Sequence, residues 1–372
     1  MDYPDPRLGS RGTELGVTFV GSIVRSHAGQ ATSGVIVMRY LIRPFLTWLL
    51  SAAQAFAFQV GWQEIHVPCG DRDATVALYY PTQAKAHAIA MGPFTVNVAM
   101  YADPEPTFKG LILVSHGVGG SELGHSRLCE ALADHGYMVA ALRHPGDNWQ
   151  EDTLRKKTPE RYWSVRPRQI SQVLDALLAE PKWKDRIPRD AHGPRIGALG
   201  HSAGGYTVLA LAGGKPDLTR LRQHCLKEGA EDPIFCSMGR PAQEPAPPAV
   251  PAVQSAELKD PRVRAVAALA PVGVLFTAES LAGVRIPSAI WEAASDRYLV
   301  PKFHAEWVAR NLPGAELHRV PNAWHFAFMN TPTMAIATPD GDIAADPPGF
   351  DRKTFLATLG EELAAYFDRA LQ

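Results

Sequence analysis

Residues 200–204 read Gly200-His201-Ser202-Ala203-Gly204, a G-x-S-x-G. An apolar strand-like run, residues 196–199, precedes this turn, and a helical pattern follows it. That is the setting a nucleophile elbow requires. The turn from strand to helix is so tight that glycines must flank the serine, and it lifts the hydroxyl above the sheet at a helix N-terminus. A serine hydroxyl is a weak nucleophile at neutral pH and needs a base within hydrogen-bond reach. Acyl transfer also needs donors for the oxyanion that develops on the attacked carbonyl, and the Ala203 N–H, directly after the serine, is one of them. Without the strand and the helix, the same five residues would read as a Gly-rich link with a capping serine. Other chemistries lack their residues. The sequence has no H-E-x-x-H, no metal-spaced Cys/His cluster, no phosphate loop and no dinucleotide fingerprint, so it implies neither a metal nor a cofactor.

The elements that must hold this turn can be followed along the chain. Strands are expected at 63–67, 75–80, 94–101, 110–115, 137–142 and 195–199, and further on at 263–270, 288–293 and 316–320. The run 110–115 (GLILVS) is apolar almost throughout, as in a strand buried on both faces. Helices are expected at 126–135, 168–180, 205–212 and 353–371. Strand and helix in alternation give an α/β fold, a mostly parallel central sheet with helices on both faces.

Residues 213–262 break the rhythm and read as an insertion, lid-like, within one domain spanning 58–372. Pro241 to Pro251 holds five prolines, which exclude a regular helix or central strand and favour an extended surface path. Cys225 and Cys236 lie close together in this segment and are the expected disulfide pair, pinning a lid or rim beside the site. Cys129 falls on an apolar helical pattern and reads as a small core residue.

Three motifs together carry a family resemblance: Ser115-His116-Gly117-Val118-Gly119-Gly120 after one strand, the serine turn, and Trp324-His325-Phe326 near the end. Over roughly residues 61–372 the chain resembles the α/β-hydrolase fold family. More narrowly it is similar to bacterial proteins related to dienelactone hydrolases and platelet-activating-factor acetylhydrolases. The resemblance implies the chain order Ser, then Asp or Glu, then His. Of the histidines after Ser202, His224 lies in the insertion, His304 in a helical stretch and His318 in a strand. His325 follows a loop just beyond a strand and is the expected base. The acid belongs at the carboxyl end of the preceding strand, where Asp296 is favoured over Glu292.

By the same resemblance the Val118 N–H is the second oxyanion donor, with Gly119 its alternative. His116 reads as structural. His201, Trp291, Trp324 and the loop 144–149, led by His144, are candidates for the pocket lining, because ligands of open α/β sheets bind at strand carboxyl ends. Dienelactone hydrolases proper use a cysteine nucleophile. Ser202 in that place favours a simple esterase, with amide cleavage and a non-catalytic binding role as the alternatives. Dienelactones, short acyl esters, acetylated phospholipids and polyester fragments all suit such a site.

The chain has 372 residues, with Lys plus Arg at 37 and Asp plus Glu at 38. A formal charge of -1 argues against a nucleic-acid partner. With 46% hydrophobic and 20% charged residues, neither a largely disordered chain nor a multi-span membrane protein is expected. Residues 38–57 have the layout of a bacterial secretory signal peptide: Arg39 and Arg43, a short apolar run, then small residues around Ala53, Ala55 and Ala57. Translation is therefore expected to begin at Met38, with residues 1–37 a mis-called extension. The mature protein is expected near Phe58, in the periplasm or outside the cell, with no stable membrane anchor and a small-molecule ester as its partner.

Overall fold

The structure is a computed structural model that describes residues 58–238 and 258–372. The signal-peptide-like run 38–57, the stretch before it and the proline-rich 241–251 lie outside the described residues.

Ten strands form the main sheet: β1 (Gln59–Cys69), β2 (Arg72–Thr82), β3 (His87–Met91), β4 (Phe94–Met100), β5 (Leu111–Ser115), β6 (Met138–Arg143), β7 (Ile196–His201), β8 (Ala265–Leu269), β9 (Ser288–Ala293) and β10 (Glu316–Val320). Their order across the sheet is β10-β9-β8-β7-β5-β6-β2-β1-β4-β3. From β6 to β10 every neighbouring pair is parallel. β2 joins β6 antiparallel and opens an edge formed by β1, β3 and β4. The apolar runs of β5, β7 and β8 are buried along their whole length, as parallel strands covered on both faces must be.

The helices are α1 (Ser126–Asp134), α2 (Pro159–Ala179), α3 (Pro181–Lys184), α4 (Ala203–Leu211), α5 (Leu218–Glu228), α6 (Pro233–Met238), α7 (Ala278–Ala282), α8 (Ala305–Asn311) and α9 (Arg352–Ala370). α1 packs with α9 over one face of the sheet, and α2 packs with α4 over the other. α2 starts well before the expected residue 168. Thr158 caps it and Pro159 sits in its first turn, where the missing N–H costs nothing. Pro167 lies inside this helix and removes the donor due to the Trp163 carbonyl. That carbonyl accepts from Tyr206 Oη of α4 at 3.1 Å instead, so the break is repaired by the neighbouring helix.

Over its described residues up to 238, the insertion carries helices that its composition does not imply. It begins with α5, capped by Asp217, and α6, and Cys225 and Cys236 are bonded between them with an S–S distance of 2.06 Å. No helix among the described residues is long and apolar enough to cross a membrane.

Candidate active site

The carboxyl ends of the parallel strands all deliver loops to one edge of the sheet. β7 ends in the serine turn. Gly200 is required there because a Cβ would fall 2.1 Å from the Gly204 carbonyl oxygen, and Gly204 because a Cβ would fall 1.9 Å from the oxygen of Ser115. Ser202 itself is held at φ 58°, ψ −117°, a left-handed conformation that an L-residue adopts only when its surroundings impose it. Its N–H donates to Leu269 of β8 at 3.0 Å and its carbonyl accepts from Val272 at 3.1 Å, which fixes the turn against the next strand.

Ser202, Asp296 and His325 come together although 94 and more residues separate the serine from either partner in sequence. The His325 Nε2 lies 3.0 Å from Ser202 Oγ, and its Nδ1 lies 2.8 Å from Asp296 Oδ2. The other carboxylate oxygen, Oδ1, accepts from the N–H groups of Tyr298 and Leu299, each at 2.8 Å. The Tyr298 ring stacks on the imidazole with centroids 5.1 Å apart, and the His201 ring lies at 4.8 Å. All three side chains are buried. In this arrangement Nδ1–H donates to the carboxylate and Nε2 is free to take the serine proton.

Glu292, the alternative acid, lies on β9 beside Arg319, whose Nε is 3.3 Å away, and takes no hydrogen bond from His325. Burial pushes its carboxyl up, against the pull of that guanidinium.

The loop after β5 passes directly over the serine. A Cβ on Gly117 would lie 3.2 Å from Ser202 Cβ, so only glycine lets the loop come this near without displacement. Gly119 does not serve as a spare donor, because its N–H is already given to Asp147 Oδ1 at 3.0 Å. The Val118 N–H carries no hydrogen bond among the described residues.

The remaining pocket candidates are placed variously. His201 is buried, with Nε2 donating to the His325 carbonyl at 2.9 Å, so it braces the His325 main chain. Burial drives its pKa well below the ordinary value and keeps the ring neutral. His144 is fully buried between Ser115 Oγ and Gln169 Oε1, each at 2.8 Å, and lines no surface. Trp291 is also removed from the site: its Nε1 donates to Glu362 of α9 at 3.0 Å and its ring stacks on His318. Trp324 packs beside Phe326 and the Arg352 guanidinium. Among the described residues, the large apolar side chains of Val118 and Trp149 are exposed here, and the Trp149 N–H donates to the Gly120 carbonyl at 3.1 Å.

One group is not legible in the sequence, because His304 lies 72 residues beyond Asp232 although His224 and Asp232 are only 8 apart. His224 Nε2 and His304 Nε2 lie 2.9 and 2.8 Å from Asp232 Oδ2, all three buried. The set has the donor types of a metal centre. However, the Gly273 N–H donates to His304 Nδ1 at 3.2 Å, so Nε2 must carry the proton and point it at Asp232. A metal on that nitrogen would need the opposite tautomer, with two N–H groups facing each other. The group is therefore a hydrogen-bonded clamp. It joins the insertion to the loop that carries Asp296, and the Val300 N–H of that loop also reaches Asp232, at 3.4 Å. The two imidazoles hold the Asp232 carboxyl down to about 2 although burial opposes its charge.

Among known proteins, cutinase est1 of Thermobifida alba is 29% identical over 152 residues, which make up 37% of this chain and 46% of that one. Cutinase 2 of Thermobifida cellulosilytica is 27% identical over 152 residues, 37% of this chain and 52% of the relative. The chain thus spans about half the length of the curated relatives it matches. No protein-family model matches it. In three dimensions it superposes on a ferulic acid esterase from Streptomyces cinnamoneus with a TM-score of 0.58 and 22% identity, covering 86% of this chain and 92% of that one. The strand order, the serine turn and this structural likeness make the chain a protein of the α/β-hydrolase fold.

Proposed function

We propose that this protein is a serine hydrolase that cleaves carboxylic esters through an acyl-enzyme. The observation that carries the reading is the unbroken line of hydrogen bonds from Ser202 Oγ through His325 to Asp296. Ser202 Oγ attacks the ester carbonyl while His325 Nε2 removes its proton, and Asp296 orients the ring and stabilises the imidazolium. The Val118 and Ala203 N–H groups receive the oxyanion. His325 returns the proton to the leaving alcohol, then activates the water that hydrolyses the acyl-enzyme. The names of the relatives, cutinase and ferulic acid esterase, support an ester over an amide.

Two readings accompany this one. The catalytic unit runs from residue 58 to 372, with the described part of the insertion, 213–238, forming a rim beside the Asp296 loop. The protein is exported: the signal-peptide layout at 38–57 and the Cys225–Cys236 bond both support an oxidising compartment. N-terminal sequencing of protein from its host should find a chain starting near Phe58, and a cytosolic chain starting at Met1 would overturn export.

The catalytic reading is tested with p-nitrophenyl esters of rising chain length and a fluorophosphonate probe. The parent should turn over at least one ester and be labelled at Ser202. Ser202→Ala should lose both, with activity down on the order of 10^4-fold or more. Full turnover by that variant on the ester concerned would overturn the mechanism.

A further inference from the structure

Behind the loop that covers Ser202 lies a fully buried ion pair, Arg166 of α2 and Asp147 of the loop after β6. Burying two charges is costly unless their remaining donors and acceptors are used, so what this pair touches is informative. Asp147 Oδ2 accepts from Arg166 Nη1 and, at 2.8 Å, from Tyr162 Oη. Its Oδ1 accepts the Gly119 N–H at 3.0 Å. Arg166 Nη2 donates to the His116 carbonyl and, at 3.2 Å, to Ser115 Oγ. The pair therefore grips the covering loop on both sides of Val118, by one carbonyl before it and one N–H after it.

The peptide between Gly117 and Val118 is pinned as well. The Gly117 carbonyl accepts from His116 Nδ1 at 2.6 Å and from the Gly120 N–H at 3.3 Å. His116 is fit for this, since its Nε2 accepts the His144 N–H at 3.1 Å and leaves the proton on Nδ1. Burial, then the nearby Arg166, hold His116 down to about 3 and so keep it neutral. In a trans peptide the N–H points opposite to the C=O. Fixing the Gly117 carbonyl inward therefore turns the Val118 N–H outward, where it has no protein acceptor among the described residues.

We propose that Arg166, Asp147 and Tyr162 are positioning residues for the oxyanion donor at Val118, holding its N–H ready before substrate arrives. The proposal rests on the ester-hydrolase reading and extends it. None of the three touches the reacting atoms. Their effect passes through the main chain, and a preorganised donor is one that needs no rearrangement when the charge develops.

The test compares an ester with its thionoester, in which sulfur replaces the carbonyl oxygen. Sulfur is the poorer hydrogen-bond acceptor, so a well-aimed donor favours the oxo substrate. Tyr162→Phe, the mildest change, should lower kcat on the ester about 10-fold with KM within about twofold. Asp147→Asn should lower it about 100-fold. In both, the oxo-to-thiono ratio of kcat/KM should fall, while the pH at which His325 limits the rate stays where it is in the parent. A general loosening of the fold would lower both substrates together and leave the ratio unchanged. If Asp147→Asn does not fold, Tyr162→Phe decides alone. A parent-like ratio in Tyr162→Phe, with Ser202→Ala inactive, overturns the positioning role and leaves the ester reading standing. Full turnover of the ester by Ser202→Ala instead overturns the acyl-enzyme mechanism on which this proposal rests.

Discussion

Two acidic side chains compete for the same role near the end of β9, and their surroundings separate them. Asp296 offers one oxygen to His325 and satisfies the other with two backbone N–H groups. Glu292 faces Arg319 instead. Asp296→Asn is expected to reduce kcat on the order of 10^3- to 10^4-fold, because the amide would favour the wrong tautomer of His325. Glu292→Gln should leave kcat within about twofold, since it touches none of the reacting groups. Steady-state kinetics of the two variants on one ester check this, and the reverse order would assign the acid to Glu292. That Ser202, His325 and Asp296 meet was legible from sequence, because a G-x-S-x-G turn and residues at later strand ends are delivered to the same edge of the sheet. Arg166 was not, because it precedes the expected helix 168–180 and a charged side chain outside a recognised element ordinarily faces water. Asp147 fell in a loop that drew attention for its place at a strand end, but nothing in its neighbours showed that it would be buried.

The elements were legible where burial is simple. Strands such as β5 and β8 are apolar runs, and their assigned limits shift by only a residue or two. α2 extends further back than the apolar spacing of 168–180 shows, through a proline that the sequence alone does not reconcile with a helix, because the Tyr206 hydroxyl that makes it tolerable comes from another helix. α5 and α6 were missed because a short polar helix shows little apolar periodicity. Of α5 only His224 is buried, and of α6 only Phe235. Such a pair has a small core of its own and depends on its tethers. Replacing Cys225 and Cys236 by serine should cost this segment up to about 3 kcal/mol of local stability. The check is amide exchange across residues 218–238, which should accelerate in the double variant and in the parent under reductant. Unchanged exchange in both would mean that the Asp232 clamp alone holds the insertion.

Over the whole molecule, the unusual feature is how many titratable groups are buried uncharged around the serine turn. His125 is held down to about 4 and His116 to about 3, with burial the main cause, and burial also holds His201 well below the ordinary histidine value. In the unfolded chain each would bind a proton near pH 6.5, so the unfolded state gains protons first as the pH falls. Stability should therefore be fully present above about pH 7 and fall as acid is added, by about 2 kcal/mol per buried histidine at pH 5. Asp232 adds a loss of the same sign at lower pH, between its unfolded value near 4 and about 2. Urea unfolding at pH 7 and pH 5 measures the first effect. An equal midpoint at both would mean that these histidines are solvated or charged in the native state.

The backbone of Ser202 has a cost that shows only when chemistry and durability are weighed against each other. At φ 58°, ψ −117° the residue sits where glycine is comfortable and a serine is not. The fold thus holds strain at the position proposed to bear the nucleophile. Ser202→Gly releases that tension and should raise the thermal midpoint, with a gain of about 1 kcal/mol or more, while ending turnover. Differential scanning calorimetry beside Ser202→Ala separates relief of the turn from loss of the hydroxyl: alanine keeps the Cβ and should gain little, whereas glycine should outlast both parent and alanine variant in heat. On the proposed mechanism, the parent would then be less durable than its inert counterpart, because of its own turn.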